Sequence, residues 1–172
     1  MVFLLKRDIS ALPYLYRAIL CHLRRFPSVR NGLSAVQEAI LEGVANGIVQ
    51  PVSLFAQISN QFNDLGMGDV QFWAELDELV HAEHPVIELE GGRLPDYSGN
   101  LDSDSLRYVR IRPTSLGCEL LQGRADYVHV NGIKRWLGGY QAHGRPGMAL
   151  EWIGGTVNVF VEKKVLHLPL DL

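Results

Sequence analysis

Asp69-Val-Gln-Phe-Trp-Ala-Glu-Leu-Asp-Glu-Leu-Val-His-Ala-Glu-His84 is the stretch on which the reading of this chain turns. Phe72, Trp73, Leu76, Leu79 and Val80 recur at helical spacing, so it predicts an amphipathic helix, with Asp69 as the N-cap. Its other positions hold five acids, Asp69, Glu75, Asp77, Glu78 and Glu83, and no Lys or Arg. Three helical patterns precede it, and a strand, a long loop and a strand follow. That is the order of a winged helix, with this stretch in the DNA-recognition position. A helix meant for the major groove enters a dense field of phosphate charge and normally carries basic residues. Its place in the fold argues for DNA, and its charge argues against.

Upstream, Ser10 can cap a first helix to about residue 26, with Leu12, Leu15, Ile19, Leu23 and Phe26 as its apolar stripe. Arg17, Arg24 and Arg25 face elsewhere, and Phe26-Pro27-Ser28 stops it. Ser34-Ala-Val-Gln37 is a capping-box pattern opening a second helix, with Val36, Ile40 and Val44 inward and Gly47 closing it. Pro51 suits the first turn of a third helix whose core side is Leu54, Phe55, Ile58 and Phe62. Residues 63–68 read as a turn. Downstream, 86–90 alternate as a strand, 91–105 form a polar loop, and 107–112 alternate as a second strand. Thr114 caps a short helix over 115–122, stopped by Gly123. From Tyr127 onward the pattern is β-like, with Asn131-Gly132 and 144–147 as turn signals. Trp136-Leu-Gly-Gly139 and Trp152-Ile-Gly-Gly155 share one form, but two copies do not establish a repeat. The expected fold class is α+β: a leading helix over 1–29, a winged-helix-like domain with a helix-turn-helix over 30–125, and a small C-terminal β-meander over 126–172.

The 172-residue length suits one domain, or one domain with an appended subdomain, and 47% hydrophobic against 20% charged residues suffices to bury a core. Net charge is −3, so the chain has no overall basic footprint for nucleic acid or anionic lipid. Cys21 and Cys118 lie on apolar faces of predicted helices, where buried reduced thiols are expected rather than a disulfide or zinc site. The apolar run at Met1-Val-Phe-Leu-Leu-Lys-Arg7 is too short for a signal peptide. No stretch approaches the roughly 20 apolar residues of a membrane span, which makes a cytoplasmic, non-membrane protein the expectation.

Two arginine groups offer anion contacts: Arg107, Arg110 and Arg112 on the wing, and Arg24, Arg25 and Arg30 after the first helix. The competing reading of both is a solvated face whose arginines neutralise nearby acids. The oxygen-rich loop 96–104 invites a calcium reading, but the positions that need Gly and Glu hold Leu101 and Arg107. His81 and His84 are three apart with no third ligand at usable spacing, so no metal or cofactor is expected. Adjacent helical residues such as Cys21 and His22 diverge by about a hundred degrees and do not form a nucleophile–base pair. Asn31, Asn131, Arg135 and Trp136 sit beside turns, where ligand or partner contacts concentrate.

Three segments carry a family resemblance: Arg25-Phe-Pro-Ser-Val-Arg-Asn-Gly-Leu-Ser34, Met67-Gly-Asp-Val-Gln-Phe-Trp73 and Asn131-Gly-Ile-Lys-Arg-Trp-Leu-Gly-Gly139. In this order the chain, over roughly residues 10–155, resembles the C-terminal region of uncharacterised bacterial proteins with an N-terminal domain of unknown function (family 1835). The resemblance implies a winged-helix-like fold and transfers no reaction. Relatives of that type carry a further domain before the first helix, so the chain is expected to be a free-standing version or a fragment.

The functional expectation is a non-catalytic interaction module in a regulatory setting, with a protein partner and the option of a homodimer. The alternatives are a DNA-binding transcriptional regulator contacting phosphates through the six arginines above, and an enzyme with a site near Asn131–Trp136.

Overall fold

The computed structural model describes residues 11–95, 105–137, 139–144, 148–153, 156–161 and 164–169. The proposed cap Ser10, the amino-terminal run, the wing-tip loop 96–104 and most of the 144–147 turn lie outside the described residues. The described chain is α+β. Helices α1 (Leu15–Leu23), α2 (Ala35–Ala45), α3 (Pro51–Gln61) and α4 (Asp69–His81) come first. Strands β1 (Ile87–Glu90) and β2 (Arg110–Pro113) then precede α5 (Ser115–Leu121) and α6 (Tyr127–Asn131). A hairpin, β3 (Lys134–Leu137) and β4 (Tyr140–His143), leads into β5 (Met148–Ile153), β6 (Thr156–Val161) and β7 (Lys164–Pro169).

Local chemistry places the second and third helices as expected. Ser34 Oγ accepts from the Gln37 N–H at 3.3 Å, and Gln37 Oε1 accepts from the Ser34 N–H at 3.0 Å. Pro51 occupies the first turn of α3, where its missing N–H costs nothing. Ile40, Leu41, Leu54, Ile58, Phe72, Leu76 and Leu79 are all fully buried where α2, α3 and α4 meet. Each such side chain contributes roughly 1.5–3 kcal/mol relative to exposure. Phe72 packs edge-on to Trp73 at 5.0 Å, and Phe55 caps the pair.

The hairpin after α4 has the register Ile87↔Pro113, Glu88↔Arg112, Leu89↔Ile111 and Glu90↔Arg110. Its inner strand is also tied to the turn between α2 and α3, because the Ile111 N–H donates to the Val49 carbonyl at 3.0 Å. The order through this part of the chain is helix, short extended link, helix, helix and hairpin.

Several local expectations fail for identifiable reasons. The first helix begins at Leu15, two residues past Pro13, and Leu12 is exposed instead of joining the stripe. Gly68, not Asp69, is the N-cap of α4, and its N–H donates to Gln71 Oε1 at 2.7 Å. Residues Ser105–Tyr108 form a 3-10 turn, so the second wing strand starts only at Arg110. Leu106 and Val109 are both buried. In a strand residues three apart face opposite ways, so a turn is what lets both enter the core. Residues Tyr127–Asn131 are helical and not β-like: Asp126 Oδ1 caps them by accepting from the His129 N–H at 2.7 Å, and Tyr127 and Val128, adjacent in sequence, are both buried.

The meander survives beyond that point. Trp136-Leu137 and Trp152-Ile153 end strands whose last pairs are Leu137↔Tyr140 and Ile153↔Thr156. The last three strands pair antiparallel in the order β5-β6-β7.

Candidate functional site

The acids of α4 fall on different sides of the helix. Phe72, Trp73, Leu76, Leu79 and Val80 face the core, while Val70, Ala74 and His81 lie on the exposed side. Gln71, Glu75 and Glu78 run along the flank between these faces, at the i, i+4 and i+7 positions that share one stripe. Strand β3 comes against that flank with Arg135.

The Arg135 guanidinium grips both glutamates. Nη1 and Nη2 donate to the two oxygens of Glu75 at 3.1 and 2.6 Å, a bidentate pair. Nε donates to Glu78 Oε2 at 3.1 Å, and Nη2 reaches the same oxygen. The Arg135 and Glu75 side chains are only 20% and 22% exposed, and Glu78 39%. Burial alone would lower the Arg135 pKa, but the two carboxylates together outweigh it and hold the pKa above its ordinary value. Gln37, already the capping-box residue of α2, also donates to Glu78 at 3.4 Å. Beside them the Tyr127 hydroxyl donates to the Glu78 carbonyl at 3.4 Å. Burial, then the Glu78 charge, pushes the Tyr127 phenol far above its ordinary pKa. Two carboxylates against one guanidinium leave this cluster one negative charge in excess.

The cluster forms one wall of a cleft of about 570 Å³ between α1, α4 and β3. Val36, Leu65, Met67, Ala74 and Leu137 give it an apolar lining, with Trp136 and Arg25 also facing it. Trp136 is 70% exposed, a large apolar surface left facing solvent.

No family model, curated protein or solved structure matches the chain. The site therefore has to be read from its own residues.

Of the residues singled out from the sequence, Arg25, Arg135 and Trp136 come together in the cleft. Asn31 and Asn131 do not join them. Asn31 is fully buried; its Oδ1 accepts from the Leu33 N–H, its Nδ2 donates to Glu38, and its carbonyl accepts from the Tyr127 N–H at 2.7 Å. Asn131 makes a two-way link to His84, accepting from its N–H at 2.8 Å and donating to its carbonyl at 3.1 Å. Both asparagines fasten α6 to the helical core. Gly32 completes that joint: at φ +72 it lies so close to α6 that an added Cβ would stand 2.7 Å from Asp126 Oδ1 and 2.8 Å from the Val128 nitrogen.

The six arginines assigned to nucleic acid scatter. Arg112 pairs with Glu88 at 2.7 Å and Glu90 at 2.8 Å on the outer face of the wing. Arg110 donates to the backbone carbonyls of Arg107 and Val109. Arg30 pairs with Glu38, and the Arg24 guanidinium lies 5.3 Å from the centre of the Phe62 ring. His81 pairs with Asp77 at 2.9 Å, one turn earlier on α4. Among the described residues no three His, Cys, Asp or Glu gather to hold a metal ion, and no helix is long and apolar enough to cross a membrane. Cys21 and Cys118 are free and half-buried.

Sequence reasoning missed Glu75 and Glu78 as site residues. Their signal was the i, i+3 placement of two acids beside, not opposite, the apolar stripe, with a lone arginine inside a short alternating segment far downstream.

Proposed function

We propose that this chain is a non-catalytic interaction module that works by binding a protein partner in a regulatory setting. The observation that carries the reading is the state of the helix in the DNA-recognition position. The exposed side of α4 presents Val70, Ala74 and His81 and no Lys or Arg. Its flanking glutamates are both engaged by Arg135, and the pair keeps one negative charge in excess. A duplex brought to this surface would meet carboxylates and would displace the wing arginine from Glu88 and Glu90. The enzyme alternative near Asn131–Trp136 has less support. Glu75 and Glu78 are both engaged by Arg135, so neither stands free as a general base in this arrangement.

Fluorescence anisotropy with a mixed-sequence duplex, titrated from low to physiological salt, tests the reading. The interaction module shows no salt-steep binding. Tight binding that weakens as salt rises, and that drops on Arg110→Ala with Arg112→Ala, would replace it with the DNA reading.

A further inference from the structure

The cleft beside α4 has the dimensions and lining of a small-molecule site. Its volume of about 570 Å³ falls within the roughly 300–1,000 Å³ of such sites, which are mostly apolar with a few placed polar groups. Val36, Leu65, Met67 and Leu137 supply the apolar lining, and Trp136 borders it with 70% of its surface open. A thioether and an indole both favour an aromatic neighbour, through sulfur–ring and ring–ring contact.

Charge narrows the occupant. The clasp of Arg135 on Glu75 and Glu78 keeps one negative charge in excess, and Arg25 on the same cleft carries one positive charge. His22 is the other titratable side chain in the lining. Burial, then Arg25, hold its pKa below the ordinary value, so its ring is uncharged at neutral pH. The walls therefore sum to zero. A charged occupant would leave the half-enclosed cleft with a net charge, and an uncharged one would not.

Some hydrogen-bonding capacity in the cleft is unspent. Ser34, which lines it, is only 4% exposed. Its oxygen accepts from the Gln37 N–H at 3.3 Å, but its hydroxyl proton has no acceptor among the described residues. Gln71 Oε1 accepts from the Gly68 N–H at 2.7 Å, which leaves the Gln71 amide NH2 in the same condition. A buried hydroxyl donor is costly to leave unused, so an occupant that offers it an acceptor is favoured.

We infer that this cleft binds a flat, uncharged aromatic molecule bearing a hydrogen-bond acceptor, with its rings on the apolar lining and Trp136 and its acceptor on the Ser34 hydroxyl. The site is additional to the partner-protein reading and does not depend on it.

Fluorescence titration of the whole chain with prodan tests this. Prodan is an uncharged naphthalene ketone whose emission moves to the blue in apolar surroundings. Binding should shift its emission, and acetylnaphthalene, also an uncharged ketone, should displace it. Naphthoate and naphthylmethylammonium keep the rings and add a charge of either sign; each should need at least about tenfold more to compete. Trp136→Ser should weaken prodan about threefold or more, the range of one ring pair. Ser34→Gly should do the same through the lost hydroxyl, glycine being a tolerated N-cap. Ala74→Trp, which fills the cleft from an exposed helix position, should abolish binding. Melting curves close to wild type verify the fold of the variants. No emission shift, a shift that survives Ala74→Trp, indifference to Trp136→Ser or Ser34→Gly, or equal competition by a charged analogue would each overturn the inference. None of these results touches the partner-protein reading, which the duplex titration decides separately.

Discussion

Replacing Arg135 by alanine leaves Glu75 and Glu78 facing each other on one flank of α4 with no cation between them. In a fully buried pair, removal of one partner costs about 3–5 kcal/mol, because the remaining charge is left uncompensated. Here Glu75 and Glu78 keep 22% and 39% of their side-chain surface, so solvent relieves part of that cost. The expected loss is about 2 kcal/mol, or about 4–8 °C in Tm for a chain of this size. Urea unfolding followed by circular dichroism reads it directly, through a lower midpoint at unchanged slope. The cause can be separated from lost packing by a double-mutant cycle. In the background of Glu75→Gln, one repulsion is absent, so Arg135→Ala should cost about 1 kcal/mol less. Arg135→Lys should restore only part of the loss, since an ammonium does not reproduce the bidentate fork on Glu75. A loss below about 0.5 kcal/mol for Arg135→Ala, or no coupling to Glu75, would refute the reasoning and make the cluster an ordinary surface ion pair.

Asn131→Asp keeps an acceptor for the His84 N–H but turns the second contact into a carboxylate facing the His84 carbonyl; a loss of about 1–2 kcal/mol in urea unfolding is expected. Gly117→Ala should cost about 1–3 kcal/mol by the same assay, because the added Cβ would stand 2.3 Å from the Val86 backbone oxygen in a packed interior. His22 gives a pH signature. Burial, and then Arg25, hold its pKa below the ordinary 6.5, so below that pH the unfolded chain binds a proton that the folded chain resists. Stability contributed by this group is present above the unfolded value and declines as pH falls through it. Thermal melts from about pH 7.5 to about 5.5 should therefore fall less steeply for His22→Gln than for wild type; parallel curves would show that His22 does not carry the slope.

How much of this was legible in the sequence depended on how local the cause was. Ser34 with Gln37, Pro51, and Thr114 at the start of α5 act within three or four residues, and the structure has them in the expected roles. The second hairpin strand was legible only in part: Ile111 between Arg110 and Arg112 lies in it, whereas residues before Arg110 form a 3-10 turn that lets Leu106 and Val109 both be buried. The α6 segment was misread because Tyr-Val-His-Val has the composition of a strand. There the Asp126 cap and the burial of two consecutive side chains override propensity. The site itself was half legible. Arg135 and Trp136 were candidates because they follow a turn, but the partners of Arg135 lie 57 and 60 residues away. Spacing sets the two glutamates on one flank of the helix, but it does not say which arginine meets them across such a distance. The same limit explains the arginines that scattered: Arg112 faces Glu88 and Glu90 through a register that only the folded hairpin defines.

The link between Asn131 and His84 turns the short stretch before Arg135 into a measured tether. One end is pinned to the α4–β1 connection, and four residues later the guanidinium must arrive between Glu75 and Glu78. A strand advances about 3.3 Å per residue and alternates its sides, so one residue added between Gly132 and Lys134 would both overshoot and turn the strand over. The indole of Trp136, or a lysine, would then face two carboxylates, and the arginine would point to solvent. The distance from Asn131 to Arg135 is therefore a length that the fold counts.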